Sequence, residues 1–313
     1  MTNSQITDLF FADERNRRGE PRTDLGAQAA ADRSLRRLWE NRQLDRVRVV
    51  LTSRRTGGGY ISFVNVLTAN GLAQVRQHLE ETGKTMEIRA EAGDPQLSLQ
   101  QLEHAVALYD LYALFQRGAR AQGLKLRGWR DDRQLAAMRN AGALKLLNIP
   151  DATFVLGRTA ADAKAFFLEI DLGTETVSGL SDRRRDWQGK IESYERYFAT
   201  AFAHDELLHG LPRPIVLTVT TAERRLVNML EATRQAGGGA DYWYAVRDAL
   251  DPPPLDRRTW DGLAPAERER QAEARSLRRR ESLWSPSWRT PADDARPSLS
   301  RLLFTEGASE AQP

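Results

Sequence analysis

A chain of 313 residues with 41% hydrophobic and 28% charged residues has material for two cores, and its mean hydropathy of -0.57 argues against a membrane protein. No apolar run approaches the roughly 18–20 residues a membrane span needs, and the absence of cysteine excludes a disulfide framework and any Cys-ligated zinc or iron–sulfur centre. Net charge is only +3 with an isoelectric point near 9.3; the cations are mostly arginine, which suits bidentate phosphate contacts but also tracks genomic base composition, so charge alone does not establish a nucleic-acid partner.

The N-terminal stretch MTNSQITDLFFADERNRRGE has no cationic start, apolar core and small-residue cleavage site, so no signal peptide is read and a cytoplasmic location is expected. Ile6, Leu9, Phe10 and Phe11 predict a short amphipathic helix. After the polar break at residues 17–24, Leu25, Ala29, Leu35, Leu38 and Trp39 predict a second helix to about Arg42. Val47, Val49 and Leu51 alternate, Gly57–Gly59 interrupt, and Ile61, Phe63, Val64 and Val66 resume, which predicts a β-hairpin with a basic tip. Thr68 is placed to cap a following helix.

Helix, turn, helix and hairpin, in that order, predict a winged helix-turn-helix over residues 1–90. Such a fold lays one helix in the major groove, where side chains reach base edges. The candidate recognition helix carries Gln28, Arg33, Arg36 and Arg37, and Arg54 and Arg55 at the wing tip would meet phosphate or the minor groove. Double-stranded DNA is therefore the expected partner, with no membrane. The helix that usually opens this fold is missing: either the start lies upstream of Met1, or the face it would cover buries against the second domain or a second copy in a homodimer.

EAGDPQL at 91–97 reads as a linker. A second domain is expected over 98–235: a largely apolar helix to Gly123, the strand LKLRGWR, a polar helix or loop at 134–147, the strands ATFVLG and AFFLEIDLG, a helix from Trp187 to Phe202, the strand IVLTVT and a helix over 222–234. This alternation predicts an α/β (α+β) sandwich, and the near-continuous apolar half of AFFLEIDLG predicts a central strand. Residues 236–313, rich in Pro, Arg, Glu and Ser, are expected to form a tail that is disordered or ordered by a partner, with PAERERQAEARSLRRRES as one exposed helix.

Asp151 opens one strand after Pro150. Glu169 and Asp171 stand at i and i+2 of the next, so both face one side. If the strands pair, the three carboxylates converge as an oxygen-ligand site for Mg²⁺ or Mn²⁺, where a metal would acidify water for phosphodiester attack. This arrangement resembles the PD-(D/E)xK nuclease superfamily, a restriction-endonuclease-like fold. Asp171 occupies the place of the usual strand lysine. The resemblance then implies a lysine on the following helix, for which Lys190 is the candidate with Tyr194 one turn on, and an acid on the first helix, for which Glu103 is the candidate beside His104.

The phrases SLRRLWENRQLDR, EHAVALYDLY, PDATFVL, FLEIDLGTET and GKIESYERYF together are similar to the replication-relaxation family of plasmid and mobile-element proteins. That resemblance covers about residues 2–235. It implies DNA binding in replication, relaxation or mobilisation, with replication or mobilisation proteins as partners and metal-dependent DNA nicking as an activity to test. Two further readings compete: a catalytically inactive nuclease-fold accessory protein, and a winged-helix transcriptional regulator. Zinc catalysis, a P-loop ATPase and an α/β-hydrolase are disfavoured because the ligand spacing, G-x-x-x-x-G-K-[ST] and G-x-S-x-G are all absent.

Overall fold

A computed structural model describes residues 1–11, 24–52, 59–82, 98–173, 177, 186–205, 208, 210–251, 257–285, 287–292 and 297–304. The chain divides into two compact units, Met1–Ala113 with Gly262–Glu273, and Leu114–Asp261 with Ala274–Pro313. The boundary between the units at Ala113 falls within a long helix.

In the first unit, helix α1 (Asn3–Phe10) opens with a reciprocal cap: Gln5 N donates to Thr2 Oγ1 (3.3 Å), and Thr2 N donates to Gln5 Oε1 (2.7 Å). Helix α2 (Asp24–Glu40) buries Ala27, Ala30, Ala31 and Leu35, whereas Leu25, Ala29, Leu38 and Trp39, expected on its apolar face, are exposed. Strands β1 (Leu44–Thr52) and β2 (Gly59–Leu67) form an antiparallel hairpin with Leu44 opposite Leu67 and Thr52 opposite Gly59. Helix α3 (Ala69–Glu81) is capped by Thr68, whose Oγ1 accepts from Gly71 N at 3.0 Å.

The first half of the long helix α4 (Leu99–Ala121) packs within the first unit. Val106 packs with Val64, flanked by Leu102 and Val66. The Gln5 carboxamide donates to Val106 O and to Asp110 Oδ1, both at 2.9 Å.

The second unit is built on a five-stranded sheet in the order β3-β4-β5-β6-β7. β3 (Lys125–Asp131), β4 (Ala152–Gly157) and β5 (Lys164–Asp171) are antiparallel neighbours, whereas β6 (Ile215–Thr220) runs parallel to β5 and β7 (Tyr242–Val246) parallel to β6. β5 is central and buried along nearly its whole length, as its apolar run predicts. Helices α5 (Asp132–Asn140), α6 (Trp187–Thr200) and α7 (Glu223–Gln235) connect the strands. Trp187, Ile191, Tyr194, Leu226 and Met229 pack on the face bearing Phe167, Val216, Tyr242 and Tyr244. On the opposite face Trp129 stacks on Phe154 (centroids 5.4 Å) and Phe154 on Phe166 (5.2 Å).

The expectation of a disordered or partner-dependent tail from residue 236 is corrected within this unit. YWYAV becomes β7, because five apolar residues after a glycine break complete the sheet beside β6. Helices α8 (Arg247–Leu250), α9 (Arg257–Gly262), α10 (Pro265–Ser282) and α11 (Leu299–Phe304) follow. Arg289 pairs with Tyr244 through both backbone hydrogen bonds (2.8 and 2.9 Å), and Trp288 is fully buried with its ring 6.4 Å from that of Trp243. A strap from the tail therefore adds core to this unit.

Candidate functional site

Register places the acids. Ala152 lies opposite Leu168 on the antiparallel β4–β5 pair, so Asp151, one residue before, stands at the level of Glu169. Its Oδ2 accepts from Ile170 N at 2.6 Å, between the two acids of β5. Glu169 and Asp171 are each 2% exposed, and charges so deep require compensation.

The compensation is separate for each. One oxygen of Glu169 accepts from Lys190 Nζ at 2.9 Å and the other from the Tyr194 hydroxyl. Lys190 and Tyr194 are four residues apart on α6, so one helix face delivers both donors. Asp186 sets the start of that helix, its Oδ1 accepting from Gly189 N at 2.8 Å. Burial, followed by the neighbouring Glu169 charge, pushes the Tyr194 phenol well above its ordinary pKa, so the hydroxyl stays protonated and donates. Lys190 also lies 5.4 Å from the centre of the Trp187 ring.

Asp171 is held otherwise. Arg225, on the first turn of α7, grips it through Nε and through a terminal nitrogen at 2.6 Å. Thr220 Oγ1 donates at 2.6 Å and Gly173 N at 3.0 Å. A two-pronged guanidinium grip is the strong form of carboxylate pairing.

These pairings answer whether a metal fits. Among the described residues, no group of three or more His, Cys, Asp or Glu side chains could hold a metal ion. The acids share one region of the sheet, but Glu169 and Asp171 spend their oxygens on separate cations and hydroxyls. As placed, the donor set does not fit the metal.

Of the remaining residues, Lys190 Nζ stands 2.9 Å from Glu169 Oε2. Glu103 lies half-buried on α4 within the first unit, whereas the other acids belong to the second. Sequence reasoning missed Arg225 and Thr220, which Asp171 selects across 54 and 49 residues. It also missed Asp205, buried and accepting from Tyr197 Oη (3.0 Å) and Lys145 N (3.2 Å).

In the first unit, Gln28, Arg33, Arg36 and Arg37 are exposed on α2. Asp32, between them, accepts from Asn3 Nδ2 at 2.8 Å. Arg54 and Arg55 lie outside the described residues.

The family model described as replication-relaxation matches residues 1–207. The chain belongs to the replication-relaxation family. Membership points to a replication-related role on plasmids or mobile elements. No curated protein and no solved structure matches the chain. The replication-relaxation match takes in α1 to α6, and with them Asp151, Glu169, Asp171 and Lys190; Arg225, β6 and β7 follow it. Among the described residues, no helix is long and apolar enough to cross a membrane.

Proposed function

We propose that this replication-relaxation protein is a DNA-binding accessory factor of plasmid or mobile-element replication, relaxation or mobilisation. In this reading α2 is the recognition helix of a winged helix-turn-helix, and the second unit is a nuclease-like scaffold whose acids have become structural. The observation that carries it is the exposure of Arg33, Arg36 and Arg37 along one helix, in an element order of helix, helix, hairpin and helix. Arginines on an exposed helix contact phosphate or guanine edges in the major groove. The committed state of Glu169 and Asp171 supports the accessory half of the reading, since neither carboxylate retains an oxygen without a donor.

The test is the affinity for duplex DNA as a function of salt. Replacing Arg33, Arg36 and Arg37 by glutamine removes three phosphate-neutralising charges, so the slope of log affinity against log salt becomes shallower by about 2–3. An unchanged slope overturns the reading. A second reading, metal-dependent nicking, draws on one observation: Lys190 lies 2.9 Å from Glu169, where a lysine relocated from the strand would stand.

A further inference from the structure

We infer that the open edge of the five-stranded sheet, strand β3, is a second DNA-contacting surface that grips the phosphate backbone. The inference rests on the DNA-binding reading above and adds to it a site on a different unit.

Strand β3 carries a bulge between Arg127 and Arg130. Lys125 pairs with Gly157 and Arg127 with Val155, but the next pair is Arg130 with Thr153. One extra residue has been inserted in β3. In a regular strand Arg127 and Trp129 would share a face and Arg130 would oppose them. Here Gly128 adopts φ +61°, a backbone conformation glycine takes without steric cost. The insertion lets Trp129 turn to the other face and stack on Phe154. Lys125, Arg127 and Arg130, whose partners alternate regularly along β4, all stay on one side. The apolar side chain and the cations are thus sorted onto opposite faces by a single glycine.

The cations are also left available. Lys125 and Arg127 are exposed and Arg130 is half-buried, and among the described residues none of the three is paired with a carboxylate. Arg127 donates to Arg158 O at 3.1 Å and Arg130 to Gly128 O at 3.4 Å, contacts that orient guanidinium groups without neutralising them. The nearby acids are turned to backbone donors. Asp131 accepts from Gln134 N at 3.0 Å as the cap of α5, and Asp162 accepts from Thr159 N at 2.6 Å and Arg158 N at 3.0 Å. Two strand residues advance about 6.8 Å, comparable to the separation of successive phosphates on an extended backbone. Charged edges also deter strand-to-strand aggregation, and the experiment separates that role from DNA contact.

Full-length wild type is compared with a Lys125→Gln/Arg127→Gln/Arg130→Gln variant and with the α2 variant, Arg33, Arg36 and Arg37 replaced by glutamine. All three are titrated with a fluorescent random-sequence 30-base-pair duplex over a range of salt. The β3 variant is expected to show a log–log slope shallower by about 2–3, from three lost phosphate contacts, at least a tenfold weaker affinity at 0.1 M salt, and a wild-type unfolding midpoint. A Lys125→Gln/Arg127→Gln variant, which spares the bulge, is expected to lose about 1–2 from the slope and answers the question should the triple variant misfold. A wild-type slope in the folded β3 variant overturns the inference, as does increased aggregation with unchanged slope, while loss of slope in the α2 variant alone leaves the winged-helix reading standing. Absence of DNA binding by the wild type overturns both.

Discussion

Replacing Arg225 by methionine keeps the aliphatic stem on α7 and removes the guanidinium from Asp171. The Asp171 side chain is 1% exposed and that of Arg225 20%, so solvent screens the pair little. Breaking a buried ion pair from one side costs about 3–5 kcal/mol, because the remaining charge is stranded. Thr220 Oγ1 and Gly173 N still donate to Asp171, which places the cost near the lower end, about 3 kcal/mol. For a domain of this size each kcal/mol shifts the melting temperature by about 2–4 °C, so thermal unfolding should move down by about 6–12 °C. The double variant Asp171→Asn/Arg225→Met leaves no unpaired charge. It should be more stable than the sum of the singles predicts by about 1.5–3 kcal/mol, a coupling expected of residues in contact. Denaturant melts of the four proteins give the cycle. If Arg225→Met lies within about 0.5 kcal/mol of wild type, the pair does not hold the sheet and the structural role assigned to Asp171 fails.

Other expectations follow from the same geometry. Tyr194→Phe leaves one Glu169 oxygen without its donor and should destabilise by about 1–3 kcal/mol in urea melts, without changing the salt slope of DNA binding. Asp186→Ala removes the cap of α6 and should cost about 1 kcal/mol. Truncation after Gln235 deletes β7 and the Trp288 strap, uncovers the edge of β6 and buried aromatic surface, and should give an aggregating protein; a monomeric, cooperatively melting product would refute the integration of the tail. The Asp162 carboxyl is held down to about 2 by its hydrogen bonds from Thr159 and Arg158. Its folded pKa lies below the unfolded one, so its contribution is present above about pH 4 and lost as pH falls through 2; NMR titration should place it near 2, and a value near 4 would mean the turn is open.

The longer helices before residue 236 and the first four strands of the sheet were legible because each carries its own period. The apolar run of β5 is a local signal that burial then obeys, whereas of the five apolar positions read on α2 only Leu35 is buried, the alanines Ala27, Ala30 and Ala31 taking the inner face instead. YWYAV was also a local signal, but five residues in a region dominated by Pro, Arg and Glu were outweighed by their surroundings; only the free edge of β6 explains why they order. The facing of Glu169 and Asp171 was legible from i, i+2 spacing. Their partners were not. Asp171 selects Arg225 across 54 residues, and nothing in one sequence says which of many arginines closes on a buried acid. Lys190 and Tyr194 reach Glu169 from α6 because helix spacing sets them on one face, and only that half of the site follows a rule readable in advance. The order of the acids fixes which side of the sheet a carboxylate faces, while the cations on helices packed against it decide which partners its oxygens take.

The most direct test of an accessory protein with structural acids is incubation of supercoiled plasmid with wild type and Glu169→Ala in Mg²⁺ or Mn²⁺. The account predicts that the wild type binds the plasmid and leaves it supercoiled, as does the variant to the extent that it folds. Nicking by the wild type that a folded Glu169→Ala protein loses would contradict it.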